Sequence, residues 1–425
     1  MGKTDRAAGG RPGTFSPFGH RAFVGLWSAS LVFNLGNAIQ GVGAGWLMTS
    51  LTKSADMVSL VQSAVALPIM LFALIAGAVA DLFDRRRVIL AAQAVMLATA
   101  ILLAALAHAN ALTPWSLLAL TFLLGSGAAF SQPAVQASIG DIVPRHELGA
   151  AVSLNILGFN VARSVGPAIG GGIVALGGAG AAFVANAVAF LGSMTLIGLW
   201  KKAPAEKHPR TGIAGAIADG LAYVRRTAAI RTILVRALAF TFLGSAAWGL
   251  MPLVARDLVG GGPAEFGWLL GGLGFGAVIG AFASTRIRHH FRNEAIIRAA
   301  GLIYGGTCLL VAARPGLAAS FLLLVVGGAG WVQALSGFSV TGQIWSPRRV
   351  VGRVAATINS VMYGGIAVGS WAWGHFTESF GIAAAIAASG GAMMLLPLLG
   401  LALPLPENEG PELEAHLRRG ADGER

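Results

Sequence analysis

The sequence predicts an all-α integral membrane protein with twelve transmembrane helices in two pseudo-symmetric six-helix halves. Three observations carry this: the scarcity of charge, the spacing of the apolar runs, and an internal repeat. Charged residues are 11% of the 425 residues, hydrophobic residues 55%, and the mean hydropathy is +0.72. A soluble domain carries about 25% charged residues. This chain has too little polar surface to cover a globule, so lipid must cover it.

Apolar runs fall near 22–48, 57–80, 88–108, 113–137, 149–175 and 179–200, and again near 234–256, 264–285, 295–313, 315–338, 351–374 and 381–404. Each is long enough for the ~20 residues that cross a bilayer as a helix. The first run is too long for a signal-peptide core and lacks an obvious cleavage site, so it reads as a retained helix. The expected organisation is a tail (1–21), a first half (22–200), a linker (201–233), a second half (234–404) and a C-terminal tail (405–425). In the linker, Ile213, Ile217, Leu221 and Val224 share one helical face near Arg225 and Arg226. That pattern suits a helix lying on the membrane surface.

Twelve spans put both termini on one side. All of the 30 Lys and Arg except Lys53, Arg163, Arg256 and Arg314 fall in the tails, the linker or the connections on that side. The positive-inside rule therefore expects both termini in the cytoplasm of a cell inner (plasma) membrane protein. The same rule accounts for the net charge of +12 without nucleic acid.

The repeat has a constant offset of 203 residues. Gly77 maps to Gly280, Arg85 to Arg288, Pro144-Arg145 to Pro347-Arg348, Gly149 to Gly352, Gly166 to Gly369 and Gly171 to Gly374. Parallel six-helix repeats of this kind bind substrate between the halves near the midplane.

Several chemistries are excluded or unsupported. There is no G-x4-G-K-[ST] phosphate loop, no His-Glu-x-x-His and no visible Ser/His/Asp set. His289-His290 lacks further ligands at metal spacing, and Cys308 stands alone in an apolar run. No catalytic residue, metal or cofactor is expected. The expected partners are a small-molecule substrate, the bilayer and a coupling proton, with a monomer as the expected state.

The turn at 77–87 (Gly-Ala-Val-Ala-Asp-Leu-Phe-Asp-Arg-Arg-Arg) ends one span and begins the next. Gly77 is expected to let neighbouring helices pack closely. Arg85, Arg86 and Arg87 open a helix, where the macrodipole does not help cations, so they need acidic or lipid partners. Asp81, Asp84 and Asp141 are the acids available. The alternative is membrane anchoring by positive charge alone.

The fifth run reads Asn160-Val-Ala-Arg163-Ser-Val-Gly166-Pro167-Ala-Ile-Gly170-Gly171. Pro167 removes a backbone donor and is expected to kink the helix, and Gly166, Gly170 and Gly171 to permit close packing. Arg163 is the one charge deep in a span, roughly 21 Å from the helix start at 1.5 Å per residue. Arginine at a helix centre costs ~2.5–3.5 kcal/mol, so it should face a cavity or a polar partner. Two readings stand: an anchor for an anionic substrate group, or a structural bond to another span. The neutral polar residues Asn34, Asn37, Gln40, Gln132, Asn155, Asn160, Gln333, Gln343 and Asn359 are further candidates for substrate binding, and equally for interhelical hydrogen bonding. Trp46, Trp248, Trp331, Trp371 and Trp373 fit either aromatic stacking on a substrate or interfacial anchoring. No Asp or Glu lies clearly mid-membrane. Proton coupling through Asp81, Asp141, Asp257 or His375 and an uncoupled uniporter both remain open.

The 77–87 turn resembles the loop between the second and third helices of major facilitator superfamily transporters. Residues 46–52 (Trp-Leu-Met-Thr-Ser-Leu-Thr), Leu67-Pro68, residues 133–136 (Pro-Ala-Val-Gln), residues 160–167 and Gly352-Arg353 are similar to the branch that includes enterobactin exporters and transmembrane secretion effectors. The likeness covers roughly residues 20–405. It implies the major facilitator fold and a secondary transporter. It also implies that Asp81 and Arg85, with Gly77, Asp84, Arg86, Arg87 and Asp141 around them, gate the cytoplasmic mouth when the cavity faces outward. The second-half copy departs, since Asp81 maps to Ser284. The Gly-Pro-x-x-Gly-Gly core resembles the antiporter signature of exporters, although Ala162 stands where that signature has another glycine. The function so implied is export of a small amphipathic, siderophore-like or drug-like molecule by rocker-switch alternating access. A non-transporting interaction, lipid-handling or assembly protein on the same fold is the second reading.

Overall fold

In the computed structural model, residues 14–199, 222–347 and 350–407 are described. Among them there are helices and no strands. In chain order we number α1 (Arg21–Leu51), α2 (Ala55–Leu82), α3 (Arg85–His108) and α4 (Pro114–Ile142). The helical stretch Leu148–Leu199 breaks at Gly178 into α5 (148–177) and α6 (179–199). The second half has α7 (Ala228–Gly249), which runs on through a π-turn to Leu258, then α8 (Pro263–His290), α9 (Asn293–Ala312), α10 (Leu317–Ile344), α11 (Val351–Phe380) and α12 (Ile382–Ala402). Of the linker residues singled out above, Ile213, Ile217 and Leu221 lie outside the described residues.

The helices outrun the apolar runs at several ends. α4, α8, α10 and α11 each extend past the last apolar residues into polar sequence. In lipid every backbone group must be satisfied within the segment, so helices continue into the interface before they stop. Ser54 starts α2 by accepting from the Met57 N–H, and Asp84 starts α3 by accepting from the Arg87 N–H. α11 has no stretch apolar enough to be read as a span by hydropathy alone, and it carries Arg353, Asn359, His375 and Glu378.

The repeat is visible in the backbone. Gly178 and Gly381, 203 residues apart, have φ of 72° and 81° and separate the last two helices of each half. An L-residue there would carry the left-handed steric penalty of ~1–2 kcal/mol. Pairings repeat as well: α2 packs on α4 as α8 packs on α10, and α3 on α4 as α9 on α10. Between the halves, α2 packs on α11 and α5 on α8. Most buried apolar side chains form one cluster across both halves, while Phe23, Ile89, Ile139, Leu154 and Ile197 join a second, smaller one near the arginine-bearing end of the first half.

Candidate functional site

The two ends of the bundle differ. At the end with the 1–2, 7–8 and 11–12 connections, here the far end, the halves are bonded to each other. Ser54 donates to Glu378 at 2.7 Å, and the Asp56 N–H donates to the same carboxylate at 3.3 Å. His375 Nδ1 lies 3.2 Å from Asp56 Oδ2, and Arg256 donates to the Thr49 carbonyl at 3.3 Å. The Trp46 and Phe266 rings stack at 6.4 Å. Further in, Ser63 donates to the Ala367 carbonyl at 2.6 Å. Asp56 and Glu378 were not singled out from the sequence. As polar residues at span ends they carry no signal until helix packing brings them together.

At the other end, the basic end, each half is bonded to itself among the described residues. Arg85 donates to Asp141 at 2.6 Å and to the Ala137 carbonyl at 3.0 Å, tying α3 to α4. Arg86 donates to the carbonyls of Ile197 and Gly198. Asp84 is the cap of α3 and Arg87 is exposed. Asp81 is exposed and makes no hydrogen bond or ion pair with a described residue. The acid that meets Arg85 is therefore Asp141, which projects from the end of α4, while Asp81 is left on the α2 surface. Gly77 is also corrected, because a side chain there would meet nothing within 4 Å. The close approach expected of it occurs at its repeat partner Gly280, where an added Cβ would lie 2.7 Å from the Ala329 carbonyl oxygen.

In α5 the helix passes through Pro167 unbroken, and the break comes at Gly178. Gly166 faces Ala38 and Gly170 faces Ile39, both on α1. Gly171 faces the Pro263 carbonyl of α8, so this stretch sits against both halves. Losing one amide donor at Pro167 is tolerated because the neighbouring helices fix the backbone on both sides.

Arg163 projects from α5 between the halves, with its guanidinium 4.5 Å from the Trp248 ring of α7. Both border a cavity of about 190 Å³, with Gln62, Pro167, Phe266 and Leu270 among its walls. None of the neutral polar candidates borders it. Asn34 accepts from Gln132 at 3.2 Å, joining α1 to α4, and Asn155 donates to Gln136 at 3.4 Å, joining α5 to α4. Asn160 donates to the Ile156 carbonyl within its own helix. Gln40 is buried with its amide nitrogen unpaired, and Asn37 is half-buried. Gln343 and Asn359 are exposed. Gln333 is committed to structure: it is buried and donates to the Gly280 carbonyl at 2.8 Å, cementing α10 to α8. Trp331 is neither anchor nor cavity wall, since it is 2% exposed in a cluster with Phe240 and Tyr304. Trp373 is half-buried and donates to the Phe242 carbonyl, while Trp371 is exposed and stacks on His375. Among the described residues no group of His, Cys, Asp and Glu is arranged to hold a metal.

The helical architecture of the described residues is matched by comparison with known proteins. The profile of the transmembrane secretion effectors matches residues 12–421. The chain belongs to the transmembrane secretion effector family of the major facilitator superfamily. It is 27% identical over 388 residues to the multidrug efflux pump Tap of Mycolicibacterium fortuitum, covering 88% of this chain and 94% of that one. It is 31% identical over 167 residues to the staphyloferrin A transporter of Staphylococcus aureus, covering 39% of this chain and 42% of that one. Among solved structures, the nucleoside transporter NupG superposes with a TM-score of 0.73 at 12% identity, covering 90% of this chain and all of that one. The chain is thus a multi-pass membrane protein of a transporter family. The secretion-effector resemblance drawn from residues 46–52, 67–68, 81–87, 133–136, 160–167 and 352–353 holds.

Proposed function

We propose that this secretion-effector family member is a secondary active exporter of small amphipathic, drug-like or siderophore-like molecules, working by rocker-switch alternating access. The observation that carries the reading is the asymmetry of the halves. Among the described residues they are bonded to each other at the far end and each only to itself at the basic end, with a cavity and a cation without a hydrogen-bond acceptor between them. With the basic end in the cytoplasm, as the positive-inside rule requires, this is an inward-facing arrangement. Cargo enters from the cytoplasm, the basic ends of the halves close, and the far-end bonds through Asp56, His375 and Glu378 release. Asp81, exposed and without a partner among the described residues, is the group available to join the halves when the inner mouth closes, with Arg85 and Asp141 as its support. The relatives named as a multidrug efflux pump and a siderophore transporter favour this cargo class.

The test is solute uptake into inside-out vesicles containing the full chain, with and without an imposed proton gradient, against Asp81→Asn. Saturable, gradient-driven uptake that is lost in Asp81→Asn at unchanged protein level is the expected result. Saturable flux indifferent to the gradient makes the protein a uniporter. Absence of saturable flux for drug-like and siderophore-like solutes alike would favour a non-transporting interaction or assembly role.

A further inference from the structure

We propose that Arg163, Trp248 and Gln62 form an anion subsite between the two halves that takes a carboxylate carried on a planar ring. Its role as a cargo site rests on the export reading above, but its chemistry does not.

Arg163 sits about 22 Å along α5 from either end of that helix, at ~1.5 Å per residue, near the middle of the bundle. Its guanidinium offers five donors in a planar fork. None of them reaches a hydrogen-bond acceptor among the described residues, and the guanidinium lies against the Trp248 ring with Tyr304 and Tyr363 nearby. A cation over an indole recovers ~0.5–2 kcal/mol, against ~2.5–3.5 kcal/mol for arginine at a membrane midpoint. The remaining deficit is one that a bidentate carboxylate removes.

Among the described residues no acid fills that role. The cavity wall contains no Asp or Glu. The carboxylates at the far end are each engaged elsewhere: Asp56 with His375, Asp257 with Arg256, Glu265 with the Gly262 N–H and Glu378 with Ser54. The polar groups of the site are also uncommitted. Among the described residues the indole N–H of Trp248 is buried without an acceptor and the Gln62 amide makes no hydrogen bond.

The cavity's size and walls select the rest of the ligand. About 190 Å³ exceeds the ~150 Å³ apolar cavity known to admit a benzene ring, so a single ring fits. Val58, Val61, Phe266 and Leu270 give it apolar sides, and Trp248 gives it a flat aromatic one. Because Arg163 and Gln62 belong to the first half and Trp248 to the second, the ligand would touch both.

The test is ligand-dependent thermal stabilisation of the purified full chain, which follows mass action, using benzoate, acetate, benzamide, benzylamine and chloride as probes. Benzoate should stabilise the wild type with at least tenfold higher affinity than benzamide, and benzylamine should not stabilise it. Arg163→Gln should lose at least tenfold in benzoate affinity, Arg163→Lys should keep part of it, and Trp248→Leu should lose the preference of benzoate over acetate. Equal affinity for benzoate and benzamide, an unchanged affinity in Arg163→Gln, or chloride reproducing the whole effect would overturn the proposal. If Arg163→Gln does not fold, the probe series on the wild type decides alone. Benzoate binding without saturable flux of any solute would sink the export reading and leave the subsite standing. Saturable flux with no preference for benzoate over benzamide would do the reverse.

Discussion

The turn at 77–87 and its repeat at 280–290 share a glycine, an arginine and a helix-to-helix connection, yet they are built to opposite ends. In the second half the turn is cemented. Gly280 lies against the Ala329 backbone and its carbonyl accepts from Gln333. Arg288 donates to Ser284 at 3.0 Å, to Asn293 at 2.6 Å and to the Gln333 carbonyl at 2.9 Å. Beside it Arg236, 1% exposed, is paired with Glu294, which also accepts from Arg298 and the Leu405 N–H. In the first half Gly77 has open space around it, Arg85 is held by a pair open to solvent, and Asp81 has no partner among the described residues. One repeat unit thus holds its half together, while the other leaves an acidic, uncrowded surface. A duplicated motif can keep its arginine and still differ between its copies in how tightly it is packed.

This contrast can be broken by substitution, and the effects on stability should fall in a definite order. The largest belongs to Glu294→Leu, which strands Arg236 as an uncompensated buried cation. Breaking such a pair costs ~3–5 kcal/mol, read as a lowered unfolding midpoint in detergent. Next is Gly280→Ala, where the added methyl meets the Ala329 carbonyl, at a cost of ~1–3 kcal/mol for overpacking. The matching Gly77→Ala should be neutral or stabilising by up to ~1 kcal/mol through helix propensity. Equal losses at the two glycines would erase the distinction drawn here. Arg85→Ala removes a pair whose side chains are 23% and 48% exposed, so the expected loss is ~0–1 kcal/mol. Smallest is Asp81→Asn, expected within ~0.5 kcal/mol of the wild type while transport is lost. A stability loss there comparable to Glu294→Leu would show that Asp81 is structural.

The fold was legible in the sequence because a bilayer leaves the chain few options. Apolar runs of sufficient length must become helices, and the 203-residue offset already implied two halves, since confirmed by Gly178 and Gly381 adopting the same rare φ. The site was legible only in part. Arg163 stood out because a charge inside a span is costly wherever it points. Pairings did not stand out, because they join residues far apart in the chain: Asp56 with His375, Arg85 with Asp141, Gln333 with Gly280. Motif chemistry placed Asp81 and Arg85 together by proximity in one turn, but helix geometry sends Asp81 to the α2 surface and gives Arg85 the acid at the end of α4.

By itself, then, the sequence determined the membrane setting, the twelve helices, the duplication and the family, all of which follow from hydropathy and local motif. Only the tertiary structure decided which glycine is crowded, which acid meets which arginine, and that the midspan cation faces an indole of the opposite half rather than a carboxylate. Those outcomes depend on the rotation and depth of each helix against its neighbours, and local sequence carries no record of either.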